Sequence, residues 1–163
     1  MLTIKRITAE SPELPALTRL MERAFPANER MPMGVLLSRR GSDMLALEED
    51  GAFRGFVSLL TRGDLCHILF FAVEEDCRGR GLGTQALALV RQFKPGLRII
   101  ADLEMPDEHA PNAEQRMRRW RFYQRCGYAE TGVTYHWRGE HYAIVSNGGS
   151  VTDEEFWRFW NED

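Results

Sequence analysis

Near residue 80 the chain changes its hydrophobic period, and this switch limits the folds open to it. Upstream lie three β-type runs, residues 44–48, 53–61 and 65–73, the last with a continuous Ile68-Leu69-Phe70-Phe71 centre. Asp50-Gly51 separates the first two, and Arg62-Gly63-Asp64 separates the next. An Asp-Gly pair tolerates positive φ at both central positions of a turn, so it predicts a tight hairpin, and the runs predict an antiparallel meander. Downstream, Leu82, Ala86, Leu89, Val90 and Phe93 follow helical spacing until Lys94-Pro95-Gly96 breaks it. An antiparallel meander joined to β-α-β units is the pattern of an α+β domain.

The flanking segments extend this reading. Leu2, Ile4 and Ile7 sit in a short opening strand. Ser11-Pro12 reads as an N-cap with proline at the first helical position, opening an amphipathic helix over residues 12–25 that Pro26 stops. A second short helix follows at 33–40. After the switch come a strand at 97–103 and a helix at 113–126, with Asn112 and Gln115 as its cap and Gly127 just past its end. Residues 128–137 and 142–146 pair as a hairpin around Arg138-Gly139. Thr152-x-x-Glu155 is a capping box, with Val151 and Phe156 placed as a hydrophobic staple, and the helix it opens carries Phe156, Phe159 and Trp160 on one face. The element order is βααβββαβαββα. It predicts about seven strands in a mixed, mostly antiparallel sheet flanked by helices. No repeat or linker interrupts it, so residues 1–163 read as a single domain.

Charge and cysteine usage narrow the function classes. A net charge of −3 argues against a protein dedicated to nucleic acid, which needs a basic surface to neutralise phosphates. Cys66, Cys77 and Cys126 are odd in number and form no C-x-x-C pair, so neither a disulfide framework nor a zinc site is predicted. His67, His109, His136 and His141 lack metal-ligand spacing. No apolar run is long enough for a membrane span and residues 1–10 hold no export signal, so a cytoplasmic protein is expected.

The richest stretch is Arg78-Gly79-Arg80-Gly81-Leu82-Gly83-Thr84, between the buried strand and the amphipathic helix. Alternating glycines keep side chains off the backbone, and a helix N-terminus presents unpaired N–H groups. Together they suit a pyrophosphate, with Arg78 and Arg80 as cationic donors beside it. A P-loop would need G-K-[ST] where Leu82, Gly83 and Thr84 stand. A dinucleotide fingerprint counted from Gly79 would need its third glycine at Thr84, and the strands before it form a meander.

The turn instead resembles the R-G-x-G-[LIV]-G-[ST] coenzyme A motif of the GNAT superfamily of N-acetyltransferases. Phe122-Tyr123-Gln-Arg-Cys126-Gly127-Tyr128 is similar to the second motif of that family, an aromatic-tyrosine pair ending a helix before glycine and an aromatic. The resemblance covers about residues 42–146. It implies acetyl-CoA as cosubstrate, held by Phe71, Ala72, Val73, Arg78, Gly79, Arg80, Gly81, Leu82, Gly83 and Thr84, with the pantetheine arm in a splayed gap between the strands at 65–73 and 97–103. It also implies direct attack by a primary amine, with Tyr123 protonating the departing thiolate. Many members carry Asn seven residues before this tyrosine and Ala four before it, where this chain has Arg116 and Arg119.

An amine that arrives protonated needs a base. Asp102 and Glu104 lie on one face at the end of the 97–103 strand by its period of two, and Glu104 is the first choice, with Glu29 the second. The loops at 26–32 and 105–112 carry Glu29, Asp107 and Glu108, so a small-molecule or peptide amine of cationic character is the expected acceptor. No metal enters this scheme. A non-catalytic acyl-CoA sensor on the same fold is the alternative, and an intact Tyr123 speaks against it. The terminal aromatic face is expected to pack on its own sheet or on a second copy in a homodimer.

Overall fold

Seven strands in the order β1-β2-β3-β4-β5-β7-β6 form the sheet, and helices flank it. The computed structural model describes residues 1–161. By internal contacts the chain divides into two units, residues 1–61 with 68–93 and residues 62–67 with the chain from 94 onward.

The first unit holds β1 (Leu2–Arg6), α1 (Leu14–Ala24), α2 (Met33–Ser38), β2 (Ser42–Glu49), most of β3 (Ala52–Arg62), most of β4 (Leu65–Val73) and α3 (Leu82–Phe93). β1, β2 and β3 are antiparallel neighbours. Asp50 (φ 52°) and Gly51 (φ 80°) make the hairpin turn with both central residues left-handed, as the sequence predicts. Leu17, Leu20 and Met21 of α1 meet Met44 and Ala46 of β2 and Phe56 of β3 in one buried cluster. Truncating any one of these leucines to alanine removes buried area and leaves a cavity, at a cost of ~2–5 kcal/mol.

Helix α1 begins later than Ser11-Pro12 suggests. Glu13 occupies its cap position without a side-chain bond, and Pro15 takes the first turn. Ser11 closes the preceding turn instead: its Oγ accepts from the Thr8 N–H at 2.8 Å. Serine serves either purpose, and Glu13 at the helix start pairs with Lys5 of β1 (2.7 Å).

The second unit holds β5 (Arg98–Glu104), α4 (Ala113–Arg125), β6 (Ala129–Trp137), β7 (Glu140–Asn147) and α5 (Asp153–Asn161). β7 pairs antiparallel with both β5 and β6, and Arg138 (φ 51°) with Gly139 (φ 83°) turns the β6-β7 hairpin. The capping box forms: Thr152 N–H donates to Glu155 Oε1 and Glu155 N–H to Thr152 Oγ1, both at 3.1 Å. Arg98 fastens this helix start by pairing with Glu155 (2.7 Å) while also reaching Asp64 (3.0 Å) and the Ser150 carbonyl. Phe156 then stacks on Tyr135 at 5.7 Å, and Phe159 and Trp160 flank the His67 ring.

The Arg98 guanidinium and the Thr152 amide hold the Glu155 carboxyl down to about 2 from its ordinary 4.5. A depressed carboxyl contributes stability above its unfolded value, and that contribution disappears as pH falls through the folded value. Tm is therefore expected to be level above pH 4.5 for this group and to fall between 4.5 and about 2. In a pH series of melting curves, Glu155→Gln should start lower at neutral pH and lose part of that acid-range decline.

Candidate active site

The glycine-rich turn leaves β4 through a 3-10 turn, Glu75–Cys77, tied down by Cys77 N–H to Glu74 O at 3.0 Å. Gly79 (φ 81°) and Gly81 (φ 77°) both adopt the left-handed backbone that L side chains resist, and a Cβ at either would point into open space. Steric crowding within the protein therefore does not explain these glycines. The reversed backbone does, since it brings the chain to the N-terminus of α3 with the exposed side of the turn free of side chains. Leu82 buries its side chain to anchor the helix start, while Gly83 and Thr84 remain accessible. The first N–H groups of α3 have no partner inside the helix by its geometry.

The two arginines of the turn differ. Arg78 is exposed, and its side chain has no hydrogen bond or ion pair among the described residues. Arg80 folds back onto Glu49 of β2 at 2.7 Å, and Arg54 joins the same carboxylate at 3.3 Å. Upstream on β4, Phe71 and Val73 are partly exposed while Phe70 and Ala72 are buried. Gly55 on β3 makes room there, because a Cβ would lie 2.4 Å from the Ala72 carbonyl oxygen. Glu29, partly buried, sits in the loop after α1 with its N–H on the Pro26 carbonyl at 2.9 Å.

In the second unit, the end of α4 fixes Tyr123. Tyr128 N–H donates to the Tyr123 carbonyl (2.9 Å) and Gly127 N–H to the Gln124 carbonyl (3.1 Å), with Gly127 left-handed at φ 88°. This is the Schellman arrangement, which also brings the residue after the glycine against the third residue from the helix end. Those two are Tyr128 and Tyr123, whose rings meet edge to face at 5.3 Å. The spacing Tyr-x-x-x-Gly-Tyr thus sets the orientation of Tyr123 through helix termination. Its side chain is 7% exposed. Burial raises its phenol above the usual tyrosine range, with the Asp102 charge adding to the effect and Arg119 opposing it. The hydroxyl therefore keeps its proton at neutral pH.

Glu104, at the end of β5, is committed to other residues. Arg116, only 6% exposed, reaches it at 3.0 Å, Arg119 at 3.6 Å and Asn112 Nδ2 at 3.3 Å. Arg116 also donates to Asn112 Oδ1, the Met105 carbonyl and Glu140. Asn112 holds the cap position of α4, yet its side chain makes no capping bond. The stronger ionic partners draw it away. This cluster secures the 105–112 loop, and Pro106, Asp107, Glu108, Ala113 and Met117 line a depression of about 350 Å³ there.

Asp102, two residues before Glu104, takes different partners. His67 Nε2 and the Tyr135 hydroxyl both hydrogen-bond its carboxylate. His67 is 2% exposed, and its Nδ1 has no partner among the described residues. Sequence spacing gave no sign of this group, because His67 and Asp102 lie 35 residues apart and meet only through strand placement. Among the described residues there is no group of three or more His, Cys, Asp or Glu side chains arranged to hold a metal, and no helix is long and apolar enough to cross a membrane.

Removing the Arg116 side chain should strand Glu104 without its closest cation. Arg116→Ala is expected to cost ~2–3 kcal/mol in urea denaturation, below a fully buried pair because Glu140 is 46% exposed.

The chain resembles several solved structures along nearly its whole length. A GNAT-family protein from Bacteroides thetaiotaomicron is 19% identical, with 96% of this chain and 92% of that one covered at a TM-score of 0.79. The ribosomal-protein-S18-alanine N-acetyltransferase of Escherichia coli is 20% identical, with coverage of 93% and 96% and a TM-score of 0.62. A GNAT acetyltransferase from Elizabethkingia anophelis, solved with acetyl-CoA bound, is 15% identical, with coverage of 90% and 97% and a TM-score of 0.61. At these identities the likeness establishes the fold. No curated protein sequence matches the chain. The sequence profile of the acetyltransferase (GNAT) family matches residues 8–128, most of the chain and both of the motifs described above, and the protein therefore belongs to the GNAT acetyltransferase family.

Proposed function

We propose that this chain, as a single domain over residues 1–163, transfers an acetyl group from acetyl-CoA to a primary amine. The observation that carries the reading is Tyr123, a phenol that burial keeps protonated and that the Schellman turn ending α4 orients. In this reading the backbone of residues 79–84 and the Arg78 guanidinium hold the pyrophosphate, while backbone groups of Phe71, Ala72 and Val73 hold the pantetheine arm. Arg80 is shared with Glu49 and reaches a phosphate only by leaving that pair. Acetyl-CoA supplies the activated acyl group as a thioester. A backbone N–H on β4 polarises its carbonyl, normally a large catalytic contribution. Tyr123 gives its proton to the sulfur as the C–S bond breaks, which avoids release of a free thiolate.

The neighbours that share the fold include an enzyme acting on a ribosomal-protein alanine and one acting on aminoglycosides, so the fold accommodates amines of very different size. In this reading the loop carboxylates Glu29, Asp107 and Glu108 favour a cationic amine over an acidic one. Glu104 is ion-paired with Arg116 and Arg119, so in this reading any contact it makes with the acceptor competes with that pairing. A cytoplasmic setting suits both the cosubstrate and the free thiols of Cys66, Cys77 and Cys126.

Two measurements test the reading. Acetyl-CoA should raise Tm, and Gly81→Val should abolish that rise, because a branched side chain at φ 77° both strains the turn and covers its amide face. A persistent shift in that variant would place the cosubstrate elsewhere. In thiol-release assays over an amine panel, Tyr123→Phe should lower kcat by ~10²-fold with little change in acetyl-CoA affinity. Activity within about twofold of wild type would assign the proton to water.

A further inference from the structure

Asp102 is a partly shielded carboxylate whose hydrogen-bond donors among the described residues include no arginine or lysine. Its side chain is 24% exposed, enough for a ligand to touch it. Its partners among the described residues are His67 and Tyr135. Nε2 bonds the carboxylate, while Nδ1 has no partner among the described residues and lies among the rings of Phe156, Phe159 and Trp160. The carboxylate is thus fixed by hydrogen bonds and not by the permanent cation of an arginine or lysine. Glu104, on the same face of β5 by strand period, shows the contrast, since Arg116 and Arg119 neutralise it.

An uncompensated negative charge in a partly dehydrated place attracts a cation far more strongly than one in water. Tyr135 stacks on Tyr142 at 5.3 Å and on Phe156 at 5.7 Å, and Trp157 meets it edge-on, so the hydroxyl that bonds Asp102 is held in place by ring packing. Asp102 also bears on Tyr123, since its charge adds to the burial that keeps the phenol protonated.

We propose that Asp102 receives the ammonium group of the acceptor and acts as the catalytic base, with His67 and Tyr135 as positioning residues. The inference depends on the transfer reaction proposed above. Proton balance is complete. One ammonium proton passes to Asp102 and then to solvent, freeing the nitrogen lone pair to form the C–N bond. As the C–S bond breaks, Tyr123 protonates the sulfur and recovers a proton from the nitrogen. The third proton stays on the product amide. The acceptor class is a strongly basic primary amine.

The test uses the full chain, acetyl-CoA, and two probes: the best primary alkylamine of a panel and its trifluoromethyl analogue, which arrives unprotonated at neutral pH. Asp102→Asn should lower kcat/KM by ~10²-fold for the alkylamine and by less than about threefold for the fluorinated amine. The Tm rise caused by acetyl-CoA should be unchanged. Tyr135→Phe, which keeps the carboxylate and the ring stack, provides a second variant should Asp102→Asn fold poorly. It should lose about fivefold with the alkylamine only, the worth of one hydrogen bond. Equal losses with both amines, or no loss with either, would overturn the assignment of Asp102 alone. A wild-type chain that binds acetyl-CoA but releases no thiol with any amine would overturn the transfer reaction, and the base with it.

Discussion

Taking a carboxylate out of water is costly unless something compensates its charge, and β5 must do this twice within three residues. At Glu104 the compensation is ionic. Arg116 lies buried beneath the 105–112 loop, and its remaining donors go to Met105, Asn112 and Glu140, so one guanidinium holds a strand end, a loop and a hairpin. At Asp102 it consists of hydrogen bonds from His67 of β4 and Tyr135 of β6. Both arrangements organise their surroundings, but only the first uses arginine. The aromatic layer follows from the second: Tyr135 is fixed by Asp102, Phe156 stacks on Tyr135, and α5 is thereby seated with its capping box already closed.

The first unit meets a different demand, which is to reverse the chain sharply after a buried strand and still start a helix cleanly. Gly79 and Gly81 supply the two left-handed residues, Cys77 and Leu82 anchor the turn on either side, and Arg80 is drawn down to Glu49. Glu49 thereby neutralises one of the two cations flanking the glycines and leaves Arg78 extended. In the proposed reading an anion at this turn meets backbone N–H groups and Arg78, and competes with the Glu49 carboxylate for Arg80.

Local chemistry made much of this legible in the sequence. Asp50-Gly51 and Arg138-Gly139 turn as their conformational preferences require, and the limits of β4 match the apolar run that marks it. The Thr152-Glu155 box forms because all its partners lie within four residues. Where a polar side chain had a choice between a local and a distant partner, sequence was a poor guide. Ser11 and Asn112 both look like helix caps, and both bond elsewhere. Glu104 shows no ionic partner in the sequence because its arginines lie twelve and fifteen positions away on another element. His67 was invisible for the same reason. A lone histidine in an apolar strand acquires meaning only when the sheet places Asp102 beside it.

The two departures from the common family pattern become intelligible together. Arg116 and Arg119 occupy the positions where many members of the family have Asn and Ala, and in the sequence neither shows its partner. Both reach the same carboxylate, Glu104, at 3.0 and 3.6 Å. A single arginine that deep would be an uncompensated cation, and Glu104 alone beneath α4 would be an uncompensated anion. The triad is therefore one substitution in physical terms, with each charge justified by the others. Its effect is to fix the loop at 105–112 by ion pairs where smaller residues would leave it to packing. With Glu104 paired to both arginines, Asp102 is the carboxylate of β5 whose hydrogen-bond partners among the described residues include neither arginine nor lysine.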